Sequence, residues 1–253
     1  MDEATKRGEA KRNETKAAAQ QVVAASEEEW LAARMELLAE EKALSKQMAA
    51  LAQKRSKMPL RPIDNFRLDG PNGPTTLSAL FNETNQLIVY HLMMGEDAKE
   101  PCSLCSFFIE GVQGGLPHLL PRASFAVVAK ASFRDIAQGT AHKGWDNVPL
   151  YSSANSSFGE ALSVSFTPEQ EAAKNKPYNY GRQWQWGKEA PGLSVFKKDA
   201  STGAIYHTYS TYSAGLGTVP GVSPVLTLLD LTPEGRAEGG GRNMWWVKHK
   251  EKY

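Results

Sequence analysis

The sequence is short of cysteine, of unbalanced charge and of long apolar runs, and each shortage closes off a class of function. Two cysteines among 253 residues are too few for a disulfide-stapled secreted scaffold, and too few alone for a structural zinc site. Lys and Arg number 29 against 28 Asp and Glu, so the basic surplus of a dedicated nucleic-acid binder is missing. No apolar run reaches the roughly 18 residues of a membrane span. The longest candidate, Leu87 to Met94, is interrupted by Tyr90 and His91. The opening MDEATKRGEAKRNETK is charged and has no apolar stretch behind it, so no secretory signal is read and a cytoplasmic location is expected. GVQGG and GLGTVPG do not match a dinucleotide fingerprint, so no cofactor is expected. With 41% hydrophobic residues, the length still allows a sizeable core.

Proline is absent from residues 1–57, and Gly8 is the only glycine there. Ala, Glu and Lys dominate instead, a composition that favours helix or, without an apolar face, disorder. The first 25 residues have no apolar stripe and read as a frayed arm. Ser26-Glu27-Glu28-Glu29 then matches a capping box. Trp30, Leu37, Leu44 and Leu51 follow at intervals of seven, widened by Leu31, Leu38 and Met48, which predicts an amphipathic helix over 27–57. It stops before Pro59. Such a helix either packs on its own domain or forms a homodimer through residues 27–57. Arg34 and Glu41 make the seam imperfect.

From Phe66 the texture changes. FRLDGPNGPTTLSALF reads as two short strands around a turn, then a small helix or turn. Leu87 to Met93 is a continuous apolar run of strand length, expected to be central and buried on both faces. A short helix follows the cysteines and breaks at Gly114 and Gly115. A strand is expected over 125–129, a helix over 132–142, a strand over 148–151 and a hairpin over 193–209. Residues 152–188 form a polar, aromatic insert with no clear assignment. A last apolar piece, Val225 to Leu231, precedes Gly239-Gly240-Gly241, read as a linker. The domain is expected over 58–238, with an aromatic, basic tail over 239–253. This order of elements predicts an α/β fold with a mixed sheet.

The two cysteines form one motif, Cys102-Ser103-Leu104-Cys105, between the buried strand and the short helix. At a helix start the first sulfur meets free N–H groups and the positive end of the dipole, both of which favour a thiolate. The second lies one turn on, in reach of a mixed disulfide formed by the first. Cys102 would then be the attacking thiolate and Cys105 the resolving thiol. Lys99 would help the thiolate and Glu100 oppose it. The alternatives are a zinc half-site, a structural disulfide or two inert thiols. Zinc needs two further ligands, and neither His91 nor His118 belongs to a second ligand pair, so no metal is expected.

The sequence resembles a thioredoxin-like family of unknown function labelled "predicted dithiol-disulfide oxidoreductase". The resemblance rests on EEWLAARMELLAEEKAL, FRLDGPNGPTTLSALF, QLIVYHLMMG, CSLCSFF, GWDNVPLYSS, PGLSVFKKD, HTYSTYSAGL and LLDLTPEGR, in this order from Glu28 to Arg236. It implies a thioredoxin-like fold with a peroxiredoxin-like N-terminal β-hairpin, and dithiol chemistry on a protein or small-molecule thiol or disulfide. Neither nucleic acid nor a membrane is an expected partner. Ser-Leu stands between the cysteines where thioredoxin has Gly-Pro. Lys99 stands three before Cys102, where the peroxiredoxin pattern has Thr. A thiol peroxidase is therefore an alternative enzyme reading. A non-enzymatic interaction module assembling through the N-terminal helix is an alternative of another kind.

Thioredoxin-type sites set a cis proline just before a strand, facing the cysteines. Pro191 precedes the strand beginning at Leu193 and is the candidate, although only about 5% of X–Pro bonds in folded proteins are cis. His91, in the strand leading to the cysteines, is either a proton relay for the resolving thiol or a hydrogen-bonded core histidine. His207 has the same two readings. Tyr178, Tyr180, Trp184 and Trp186 are read as an aromatic cover over an edge of the sheet, as a lid beside the cysteines, or as a surface stacking nucleic-acid bases, which the neutral charge balance does not favour.

Overall fold

The computed structural model describes residues 24–219, 223–236 and 244–253. Most of the expected frayed arm, and Gly239-Gly240-Gly241, lie outside them. The chain divides into two compact units, Met1–Lys57 and Met58–Tyr253.

In the first unit, helix α1 spans Glu27–Ser56. Ser26 caps it: the Glu29 N–H donates to Ser26 Oγ at 3.2 Å, and the Ser26 N–H donates to Glu29 Oε2 at 2.8 Å. Glu27, Glu28 and Glu29 in the first turn and Lys54 and Arg55 in the last complement the helix dipole. The expected amphipathic face is not there. Trp30, Leu37, Leu44 and Leu51 do line up, but three residues beyond each of the first three stand Ala33, Glu40 and Gln47. The second apolar column of a coiled-coil seam is thus missing. Arg34 and Glu41, which interrupt the stripe, pair with each other at 2.8 Å.

The second unit is built on an eight-stranded mixed sheet. Its strands are β1 (Arg61–Pro62), β2 (Arg67–Gly70), β3 (Gly73–Thr76), β4 (Gln86–Leu92), β5 (Ser124–Ala129), β6 (Leu150–Ser152), β9 (Gly192–Lys198) and β10 (Ile205–Tyr212). They run in the order β1-β10-β9-β4-β5-β6-β2-β3, and only the β4–β5 and β5–β6 pairs are parallel. Helix α2 (Ser103–Gln113) and the short α3 (Leu116–Leu119) connect β4 to β5, and α4 (Phe133–Thr140) connects β5 to β6. A strand, a cysteine-bearing helix, a parallel neighbour and an antiparallel hairpin on the other flank make this a thioredoxin-like fold. The β2–β3 hairpin adds the expected peroxiredoxin-like edge.

β4 is central because both its faces are apolar. Leu87 and Val89 point into one core layer with Phe81, Phe158 and Phe196. Tyr90 and Leu92 point into the other, with Cys105, Phe108 and Ile109. Each fully buried side chain of this size contributes about 1.5–3 kcal/mol over exposure. The sheet is therefore a wall between two compartments.

The insert covers the first compartment. It folds as α5 (Phe158–Ala161), α6 (Pro168–Ala172) and the small hairpin β7–β8 (Pro177–Tyr178 with Arg182–Gln183). Tyr178 and Trp184 are buried against each other and the Tyr212 ring, whereas Tyr180 and Trp186 are exposed. The buried rings thus cover the core layer opposite Cys105, while the Tyr178 hydroxyl reaches the Pro191 carbonyl and stands within electrostatic range of Cys105. Helix α7 (Pro224–Leu229) and a tail follow. The tail packs on the second compartment: the Trp246 ring meets Phe107 edge-on at 5.9 Å. Among the described residues no helix is long and apolar enough to cross a membrane.

Candidate active site

Backbone bonds fix the cysteine loop at both ends. As β4 ends, the Met93 carbonyl accepts the Cys102 N–H at 3.0 Å, and the Met94 carbonyl accepts the Ala131 N–H at 2.9 Å. Cys102 is the N-cap residue of α2. Its carbonyl accepts the first helical bond, from the Ser106 N–H at 2.9 Å. The loop before it rests on α4 at Gly139, where an added Cβ would stand 2.6 Å from the Lys99 carbonyl oxygen and from the Met94 methyl. Only a residue without a side chain lets the helix and loop approach so closely.

The two thiols differ in their surroundings. Cys102 is partly exposed and Cys105 is 1% exposed. No disulfide joins them: they lie 4.1 Å apart, well beyond the about 2.05 Å of such a bond. The structure thus shows the reduced dithiol. Burial pushes the Cys105 thiol well above its ordinary range, and the Cys102 sulfur adds to the shift. The Tyr90 hydroxyl and the Met93 backbone pull the other way.

Tyr90 is the site residue that sequence reasoning missed. Its neighbour His91 is the imidazole of the same strand. Side chains alternate along a strand, so His91 and Tyr90 lie on opposite faces of β4. Tyr90 shares the cysteines' compartment and touches the Phe108 ring, at 6.5 Å between centroids. His91 lies on the far face against Phe158, at 5.8 Å. That corrects the proton-relay reading, because the sheet stands between the imidazole and the sulfurs. His91 is instead one end of a buried polar chain. Its Nε2 is 2.8 Å from Ser194 Oγ, which is 2.7 Å from Ser210 Oγ, which is 2.7 Å from His207 Nε2. Burial holds His91 neutral, its pKa lowered to about 3. His207 is lowered to about 4 by burial and by Arg61.

Pro191 is a second correction: no cis peptide bond occurs among the described residues, so the Ala190–Pro191 bond is trans. Its neighbours fix the chain there. The Ala190 N–H donates to the Val164 carbonyl at 2.8 Å, and the Tyr178 hydroxyl donates to the Pro191 carbonyl at 2.6 Å. Both partners come from the insert, so the insert sets the path of this loop.

The family follows from the sequence as a whole. Residues 19–253 match the family described as "Bacterial protein of unknown function (DUF899)". The chain belongs to this family. Nothing among curated proteins matches this DUF899 chain. Solved structures resemble it distantly. Peroxiredoxin Q of Xanthomonas campestris is 16% identical, with a TM-score of 0.42 over 64% of this chain and 89% of that one. Peroxidoxin BcpB of Mycobacterium tuberculosis is 14% identical, with a TM-score of 0.38 over 62% and 86%. BsSco, a member of the Sco family of cytochrome c oxidase assembly proteins, is 10% identical, with a TM-score of 0.38 over 70% and 98%.

The tail of the DUF899 chain completes the site's surroundings. Glu100, two residues before Cys102, faces His249 at 3.5 Å and Lys252 at 3.9 Å. Lys250 faces Glu110 of α2 at 3.9 Å. The buried Lys143 ammonium is paired with Glu251 at 3.2 Å. Lys252 of the tail thus stands against the carboxylate expected to oppose a thiolate at Cys102, and His249, lowered below its ordinary pKa by burial, faces the same carboxylate. Among the described residues no group of three or more His, Cys, Asp or Glu side chains could hold a metal ion.

Proposed function

We propose that this protein is a thiol–disulfide oxidoreductase cycling Cys102 and Cys105 between dithiol and disulfide. The observation that carries the reading is the pair itself: two cysteines 4.1 Å apart, the outer one partly exposed at a helix start and the inner one buried.

The chemistry follows from that asymmetry. A thiolate at Cys102 attacks one sulfur of a substrate disulfide, forms a mixed disulfide and expels the other half as a thiolate. The unpaired N–H groups of the first turn favour the negative charge on Cys102. Cys105, held one turn on, loses its proton and attacks the Cys102 sulfur. The Cys102–Cys105 bond forms, and the second half of the substrate leaves as a thiolate that takes up a proton. The substrate is reduced by two electrons and the dithiol is oxidised by two. A dithiol reductant returns the pair to the state seen here. Run backwards, the same steps oxidise a dithiol. A peroxide would oxidise the same pair through a sulfenic acid at Cys102, but Lys99 occupies the position of the peroxiredoxin threonine, so disulfide exchange is placed first.

Cys102→Ser tests the assignment in a disulfide-reduction assay with dithiothreitol as donor. Activity is expected to vanish while the thermal midpoint stays within a few degrees of the parent. Undiminished activity in the folded variant would refute it.

A further inference from the structure

Tyr90 carries a buried hydroxyl that makes no well-formed hydrogen bond among the described residues. Burying a hydroxyl without a partner costs free energy, and phenylalanine would fill the same volume without that cost. Packing alone therefore does not explain the position, and the polar group the hydroxyl faces is the Cys105 thiol. The group it faces changes charge during the proposed cycle. Cys105 lies in the same core layer, on the helix that covers this face of β4, and the Tyr90 ring packs on Phe108, one turn further along that helix.

We propose that Tyr90 is the hydrogen-bond donor that holds the Cys105 thiolate as it forms, and so sets the rate of the second half-reaction. This rests on the dithiol reading above. Once Cys102 is joined to one half of a substrate, Cys105 must become an anion inside an apolar layer. An ionised sulfur there needs a donor, and a phenol O–H supplies one. Tyr90 keeps its own proton throughout. The Cys105 proton leaves with the departing thiolate, the Cys102–Cys105 bond forms and the mixed disulfide breaks.

The electrostatics of the site agree with this geometry. Burial raises the Tyr90 phenol well above its ordinary range, with Cys105 the strongest of its ionisable neighbours, ahead of Cys102 and Tyr178. The phenol therefore stays protonated at neutral pH and can donate. On the other side, the Tyr90 hydroxyl is a group that lowers Cys105 against its burial. His91 cannot take this part, since it lies beyond the sheet. The donor that thioredoxin-like logic seeks in an ionisable relay is here a tyrosine one residue earlier in the strand.

The test is Tyr90→Phe in the full chain, mixed with dithionitrobenzoate and followed by release of thionitrobenzoate. In the parent, Cys102 displaces one thionitrobenzoate and Cys105 displaces the second, giving two phases. In the variant the first phase is expected to keep its rate within twofold, while the second slows by about 10- to 100-fold, the range for a hydrogen bond to a charged group. The thermal midpoint should be unchanged or higher, because the lost hydroxyl makes no well-formed hydrogen bond in the reduced state. A second phase within twofold of the parent would overturn the proposal. So would a lowered midpoint with both phases slowed alike, the mark of a structural role. A parent that never shows a second phase would instead refute the dithiol reading, and the role of Tyr90 would fall with it.

Discussion

Acid should weaken this fold through His91, by an amount the structure sets. The imidazole is buried and neutral, its pKa lowered from 6.5 to about 3. In the unfolded chain it takes up a proton below about pH 6.5. Between those values the unfolded state binds a proton that the folded state refuses, so stability falls as pH falls. The contribution is complete above pH 6.5 and is lost progressively down to about pH 3. At about 1.4 kcal/mol per pH unit, going from pH 7 to pH 5 costs roughly 2 kcal/mol. For a unit of this size that lowers the thermal midpoint by roughly 4–8 °C. His207 works in the same direction but is partly exposed, so solvent screens it and it adds less. Glu110 and Glu189, both raised by burial, work in the opposite direction. The assay is therefore a comparison: thermal unfolding at pH 7 and pH 5 for the parent and for His91→Gln. Gln keeps a donor for Ser194 but does not titrate, and the other groups are common to both proteins. The parent should lose roughly 2 kcal/mol more than the variant across that interval. Equal losses would refute the reading of His91 as a buried, neutral core group.

Two further outcomes are expected. Gly139→Ala places a methyl 2.6 Å from the Lys99 carbonyl, so the loop or the helix must move. Overpacking of this kind costs about 1–3 kcal/mol, and a midpoint equal to the parent's would show that the contact is slack. The Cys102→Ser and Tyr90→Phe variants separate the two half-reactions: the first should lose both phases of thionitrobenzoate release, the second only the later one. Identical kinetic traces from the two variants would contradict the division of labour between the sulfurs.

Much of the fold was legible because its signals are local. The run Leu87 to Met93 could only be a buried central strand, and the Gly/Pro/Asn turn after Leu68 could only close a hairpin. Ser26 and Glu29 marked a helix start by capping chemistry alone. The cysteine spacing placed both sulfurs on one helical turn. What stayed hidden depends on distant partners. A strand that is apolar on both sides does not announce which face meets a helix, so His91 and Tyr90 could not be told apart by pattern. Alternation counted from the cysteine layer would have done it, had that layer been known. Around the trans Ala190–Pro191 bond the chain is held by hydrogen bonds to Val164 and Tyr178, and nothing local to Ala190-Pro191-Gly192 reveals those partners. The insert resisted assignment for the same reason. Its elements are four or five residues long or shorter, and they are held by long-range contacts such as Phe158 against Phe66 at 5.5 Å. On α1 the heptad of large residues drew attention from Glu40 and Gln47, which occupy the column a seam requires.

The proposed function requires that the sulfur pair cycles between dithiol and disulfide. Equilibrating the full chain with glutathione or dithiothreitol buffers, then alkylating and weighing it, gives the reduction potential of the Cys102–Cys105 couple. A single two-electron transition is predicted, with a midpoint between about −270 mV, where a reductant of the thioredoxin kind lies, and about −120 mV, where a strong oxidant lies. Two thiols that remain alkylatable throughout that range would contradict it.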